Sequence, residues 1–96
     1  MEYLKKYNLS ETDINEILNN IDELDYKELM FNQENVEEIL RYFIGIGITD
    51  IKSILMFKTY LLYDNLENIK NAINSSDKNI IKLINEDIMN FDIIGL

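Results

Sequence analysis

The chain has 96 residues, with 18 Asp and Glu against 9 Lys and Arg, 47% apolar residues, and no His, Cys, Trp or Pro. Those absences exclude a disulfide framework, a thiol nucleophile, an imidazole base and a zinc site of the usual ligand types, and the length suits one compact unit with a modest core. No apolar run approaches the roughly 18 residues of a membrane span, and Met1 to Ser10 is too polar for a secretory leader, so the expected protein is soluble and cytoplasmic, with no cofactor and no membrane association.

Apolar residues recur at helical spacing along almost the whole chain. Leu9, Ile14, Ile17, Leu18 and Ile21 make the first stripe. Ser10 stands at its start with Asp13 three residues on, where a side chain can accept from a free backbone N–H. The cluster Asp22, Glu23, Asp25 and Glu28 follows and reads as a solvated turn. It holds enough oxygens for a hard cation but has neither the alternating acids nor the turn glycine of a calcium loop, so no metal site is expected. Asn32 marks the next start, before the stripe Val36, Ile39, Leu40, Phe43 and Ile44, and Gly45 and Gly47 can end that helix at positive φ. Phe43 to Ile48 alternates with period two, but its glycines argue for a loop. Gly45-Ile-Gly47 lacks the third Gly and the Lys/Ser pair of a phosphate loop.

Thr49 or Gly47 is the next expected start, followed by Ile51, Ile54 and Leu55; Asp64 precedes Leu66, Ile69 and Ile73; Ser75 or Ser76 precedes Ile80, Ile81, Ile84 and Ile88. The fold class is therefore all-α, five to seven short helices in one domain spanning 1–96, since no Pro, Gly/Ser tract or other linker divides the chain.

Sliding the sequence against itself exposes a repeat of 37 residues. Thr12 to Leu29 falls on Thr49 to Leu66 without gaps, and 8 of 18 positions are identical: Thr12/Thr49, Asp13/Asp50, Ile14/Ile51, Ile17/Ile54, Leu18/Leu55, Leu24/Leu61, Tyr26/Tyr63 and Leu29/Leu66. A third, partial copy matches Asp87 and Ile88 to Asp50 and Ile51. Units of approximately 3–39, 40–76 and a partial 77–96 give about 2.5 copies, each too small to bury an apolar face alone, so the expectation is a short stacked solenoid or a compact bundle.

The strings Asn8-Leu-Ser-Glu-Thr-Asp-Ile14 and Gly45-Ile-Gly-Ile-Thr-Asp-Ile51, each followed by x-x-Ile-Leu and a Leu-rich segment, resemble the helical repeats of the mitochondrial transcription termination factor family. The resemblance covers about 65 residues. It implies a solenoid of short helices, and in the family a basic concave face binds nucleic acid. This chain departs from the pattern in two ways: Asp22 and Thr59 stand near the place of the family's frequent Pro, and the basic face is replaced by an acidic one.

Charge is unevenly placed. Residues 1–40 hold 11 acids and 3 bases, a net of −8, whereas residues 41–96 hold 7 acids and 6 bases, a net of −1. An acidic half repels phosphate backbones, because nucleic-acid binding draws on basic side chains that displace counterions. The acids can be a solvated face that keeps the chain soluble, or a docking surface for a basic protein. Paired carboxylates can do acid/base work only in a cleft that separates their pKa values, and no sequence feature locates one, so the chain reads as non-enzymatic.

The docking reading places partner-binding carboxylates at Glu11, Asp13, Glu16, Asp22, Glu23, Asp25 and Glu28. Aromatic anchors are expected at Phe57 and Tyr60, whose counterparts in the first copy are the polar Asn20 and Glu23. Tyr42, Phe43 and Tyr63 read more readily as packing residues. A small acidic protein-binding module follows, of the kind a phage uses to occupy the nucleic-acid groove of its target, in the style of anti-restriction and anti-CRISPR inhibitors that mimic DNA. The single Ala72 and single Arg41 beside 17 Ile and 13 Asn suit an AT-rich bacterial or mobile-element origin. Two other readings stay open: a nucleic-acid module of the termination-factor type, carried by Arg41, Lys52, Lys58 and Lys70 on one face, and a self-associating helical protein that stacks through Phe91 to Leu96, a homo-oligomer. That last segment can equally fold back on its own core.

Overall fold

Local start signals decide where each helix begins. The computed structural model, which describes residues 1–96, contains six α-helices, three 3-10 segments and no strand. In chain order these are η1 (Glu2–Tyr7), α1 (Glu11–Asn20), α2 (Glu23–Phe31), α3 (Gln33–Gly45), α4 (Ile51–Phe57), η2 (Thr59–Tyr63), α5 (Leu66–Asn74), α6 (Ile80–Glu86) and η3 (Ile88–Ile94). The Ser10 start is a full capping box: its Oγ accepts from the Asp13 N–H at 3.0 Å, and Asp13 Oδ2 accepts from the Ser10 N–H at 3.0 Å.

The second copy starts its helix later. Ser10 pairs with Gly47 in the repeat, and a glycine has no oxygen to offer. Gly47 instead turns the chain at φ +100°, and α4 begins only after Asp50, whose Oδ1 accepts from the Ser53 N–H at 3.1 Å. Asp87, which the offset pairs with Asp50, caps η3 in the same way, accepting from the Met89 N–H at 2.9 Å. The later starts also move. Asn65, rather than Asp64, caps α5 through the Glu67 N–H at 2.8 Å, and α6 begins at Ile80 after a turn in which Asp77 Oδ1 accepts from the Asn79 N–H at 2.8 Å. Gly45 stays helical as the last residue of α3, so the loop is shorter than the alternation of Phe43 to Ile48 suggested.

The acidic cluster from Asp22 to Glu28 is not a turn. Asp22 Oδ1 accepts from the Asp25 N–H at 2.8 Å and so opens α2, in which Glu23 and Asp25 occupy the first turn, where the helix dipole favours negative charge.

Corresponding elements of the two copies pack against each other, α1 on α4 and α2 on η2, while α3 also lies on η2. The buried side chains form one cluster from Leu4 to Phe91. Phe43 of α3 and Phe91 of η3 meet at its centre with ring centroids 5.5 Å apart. A radius of gyration of 12.7 Å and extents of 34 × 24 × 22 Å are those of a compact globule, close to the roughly 13 Å expected for a chain of about 100 residues.

The ends are held as well. Leu4 of η1 is fully buried, and the Tyr3 hydroxyl donates to the Leu29 carbonyl of α2 at 2.5 Å. At the other end Phe91 is fully buried and Leu96 half-buried, so Phe91 to Leu96 folds back on the chain's own core. Its tether is Lys58, only 3% exposed. The three N–H groups of that ammonium meet Asp92 Oδ1 at 2.5 Å, the Tyr60 hydroxyl at 3.0 Å and the Leu96 carbonyl at 3.2 Å. Burial disfavours the Lys58 charge, but the hydrogen bonds to Asp92 and Tyr60 outweigh it and raise the pKa.

Candidate functional site

The seven carboxylates singled out in the sequence all lie on α1, on α2 or at the cap of α2, and six of them have partners within the chain. Asp13, already in the capping box, also accepts from Lys52 Nζ at 3.1 Å, and the same ammonium lies 2.7 Å from Glu16. One lysine of α4 thus sits between two acids of α1, at the contact of the equivalent helices. The backbone N–H of Ser10 and then Lys52 hold the Asp13 pKa below its usual value, while the Lys52 pKa is raised by its hydrogen bonds to Glu16 and Asp13. Asp22 caps α2. Glu23 pairs with Lys27 at 3.2 Å, one turn on. Asp25 accepts from the Tyr63 hydroxyl at 2.6 Å, joining α2 to η2, and Glu28 accepts from the Asn32 amide. Glu11 has no such partner.

These contacts leave the charge in place. Glu23 and Lys27 are both largely exposed, and pairs of that kind are worth at most about 1 kcal/mol and are screened by salt. The Asp25 carboxylate acts on its neighbour: burial first, then the hydrogen bond to Asp25 and the charges of Asp25, Asp22 and Glu28, push the Tyr63 pKa well up. Two further carboxylates, Glu34 and Glu38, lie one turn apart on α3 with no cation beside either. Glu37 between them is engaged by the Tyr7 hydroxyl at 2.6 Å and Lys6 at 3.1 Å, and these contacts lower its pKa.

Helix α2 carries a feature that sequence reasoning missed. It buries only Leu29; Leu24 (61% exposed) and Phe31 (75% exposed) face solvent along one line, and Tyr26 and Met30 are exposed along another. A helix with one apolar stripe would place such residues on a single face. Here positions 24, 26, 29, 30 and 31 go round the helix, and that spread was the available signal. Leu24, Tyr26 and Leu29 were legible only as repeat positions. At its C-terminal end, Phe31, Asn32, Glu34, Asn35 and Glu38 line an open depression of about 330 Å³. Asn35 fixes the wall of that depression by donating to the carbonyls of Leu62 at 3.0 Å and Asp64 at 3.2 Å.

The two expected aromatic anchors have different surroundings. Phe57 is 57% exposed and lines a separate depression of about 390 Å³ with Asp50, Ser53, Glu86, Asp87, Ile88 and Met89. Tyr60 is 43% exposed, but its hydroxyl donates to the Leu96 carbonyl at 2.6 Å and belongs to the Lys58 tether. Three of the four cations of the nucleic-acid reading are engaged within the chain. Lys52 and Lys58 are bound to carboxylates, Lys70 lies 5.6 Å from the Tyr42 ring and near Glu67, and Arg41 is exposed.

No helix is long and apolar enough to cross a membrane. No family model, no curated protein and no solved structure matches the chain.

Proposed function

We propose that this chain is a small acidic protein-binding module without enzymatic activity, whose α1–α2 surface docks on the basic surface of a partner protein. The observation that carries the reading is the exposed run of carboxylates Glu11, Glu16, Asp22 and Glu23 over two adjacent helices, with only Lys27 and Lys52 among them. Such a surface speeds encounter with a cationic partner and repels nucleic acid. In its sharpest form the module occupies the nucleic-acid groove of its target as a DNA mimic, in the manner of a phage inhibitor. The packing of α1 on α4 and of α2 on η2 supports reading the repeat as two stacked units that present this surface from the first.

Capture of partners from the lysate of an AT-rich bacterium, washed across a salt series with and without nuclease, tests the reading. The expected result is a protein retained after nuclease and released by salt; co-purification that nuclease abolishes supports the termination-factor reading instead. The matched variant carries Glu11→Lys, Glu16→Lys and Glu23→Lys, with Asp22→Asn so that the α2 cap survives the loss of charge. It should lose the captured partner at unchanged helicity, and undiminished capture would sink the proposal.

A further inference from the structure

Pure charge docking leaves one part of this surface without a role. A solvated acidic helix has no use in solvent for Leu24 and Phe31, the most exposed of its four exposed large apolar side chains, the others being Tyr26 and Met30. The four lie on one nine-residue helix, about 13 Å long. Leu24 and Phe31 are two turns apart along one line, whereas Tyr26 and Met30 lie about 130° further round, beyond the Glu23–Lys27 pair. The Leu24–Phe31 line has the spacing that receives side chains of a second helix laid alongside.

Charge decides what kind of helix. The apolar strip is bordered by Asp22, Glu23 and Glu28 on its own helix and by Glu34 and Glu38 at its end, against Lys27 alone, which is already paired with Glu23. Glu34 and Glu38 are like charges one turn apart, a mildly unfavourable arrangement that no group of this chain offsets. They lie side by side on the α3 wall of the depression that Phe31 also lines, where an incoming lysine or arginine can lay its methylene stem on the ring and its cationic head beside the two carboxylates. A second copy of this chain fits poorly, because it would bring the same acidic border against itself.

We infer that the Leu24–Phe31 line of α2, continued into the Phe31–Glu34–Glu38 depression, docks a basic amphipathic helix of the partner protein, with apolar side chains on Leu24 and Phe31 and one cationic side chain in the depression. The inference rests on the acidic-module reading and goes beyond it: a partner groove shaped only for DNA would meet carboxylates, whereas this surface also needs apolar anchors.

The test uses the full chain and two synthetic peptides of about 18 residues with identical lysines, one carrying a leucine stripe at helical spacing and the other serine in its place. Affinities are read by fluorescence anisotropy at about 0.15 M and 0.5 M salt, which separates screened charge from apolar contact. The leucine peptide should bind the wild type at both salt concentrations, and Leu24→Ser with Phe31→Ser should weaken it at least about tenfold. Glu34→Gln with Glu38→Gln should flatten its salt dependence, and Ile44→Ser, an exposed apolar residue at the other end of α3, should leave its affinity as in the wild type. All these side chains are exposed on α2 or α3, so helicity should not change, and amide shift mapping on the unmodified chain gives the same answer without substitution. Shifts confined to α2 and the start of α3 support the docking site. Equal binding of the two peptides, or an undiminished affinity of the Leu24/Phe31 variant, overturns the inference and leaves the acidic module standing. Failure of both peptides to bind at 0.15 M salt overturns both.

Discussion

Leu24 and Leu61 occupy the same place in the repeat, and so do Tyr26 and Tyr63, yet Leu24 is 61% exposed and Leu61 is 1% exposed. The first copy runs its second element as α2 on the outside of the molecule. The second copy runs it as the 3-10 segment η2, where Thr59, Leu61 and Leu62 are all buried and α2, α3 and α4 pack around it. At Leu24 and Leu61 residue identity is the same and location is opposite: an element that stacks on neighbours from both sides becomes core, and its twin at the edge buries Leu29 but leaves Leu24 facing solvent. The difference also shows in the neighbours of the shared pattern. Asp25 of the first copy aligns with Leu62 of the second, and Ile21 aligns with Lys58.

The widest separation between the copies should come from truncating the matched leucines. Leu61→Ala should cost about 2–5 kcal/mol, the range for a leucine lost from a packed core, and Leu24→Ala should stay within about 0.5 kcal/mol. Urea unfolding followed by circular dichroism reads both. Equal costs would mean that α2 is covered in solution and that the comparison fails.

Lysines sharpen it next. Lys58→Met keeps the buried stem and removes the ammonium that ties Asp92 and Leu96. Asp92 is largely exposed and can rehydrate, so the expected cost is about 1–2 kcal/mol, with faster amide hydrogen exchange over 88–96. Lys27→Met on α2 removes only an exposed pair and should change stability by less than about 0.5 kcal/mol.

The two helix starts give a smaller effect. Ser10→Ala should destabilise by about 1 kcal/mol through loss of the capping box, whereas Gly47→Ala should cost about 1–2 kcal/mol for an unrelated reason, the positive φ at that residue. The Cβ itself meets only Ile81 at an ordinary 3.7 Å, so compensation by repacking is not expected.

High pH supplies the finest distinction. Tyr63 is held neutral by burial and by Asp25, and Tyr7, raised by burial and then by Glu37, titrates at about 12 rather than 10.0. A tyrosine whose folded pKa lies above its unfolded value contributes stability that is complete below pH 10.0 and lost as the pH climbs toward the folded value. Lys52 and Lys58, also raised, lose theirs in the same direction above 10.5. Stability should therefore decline from pH 10 to 12, and Tyr63→Phe should flatten that decline.

Much of the frame is legible because helices are specified locally. Ser10 with Asp13 fixes the start of α1 within four residues of chain, and the stripe Val36, Ile39, Leu40 and Phe43 fixes the buried side of α3; all four of those side chains are fully buried. The repeat predicted a second element after α1 but not its length, because Asp22 was one of several acids and only its bond to the Asp25 N–H distinguishes a cap from a turn. Of the candidate site, the carboxylates of α1 and α2 were found from charge alone. Phe31, Glu34 and Glu38 were not, since their grouping depends on how α3 departs from the end of α2.

Residues three or four apart, whose preferences act within one turn, made an all-helical chain, the Ser10 cap, the main apolar stripes and the acidic first half readable. Packing settled the remaining helix starts, which copy of the repeated leucine is core, that Lys58 is buried against residues 34 and 38 positions away, and that Leu24 and Phe31 of α2 stay in solvent. Those outcomes depend on which elements surround a position, and two copies with the same pattern cannot both stand in the middle.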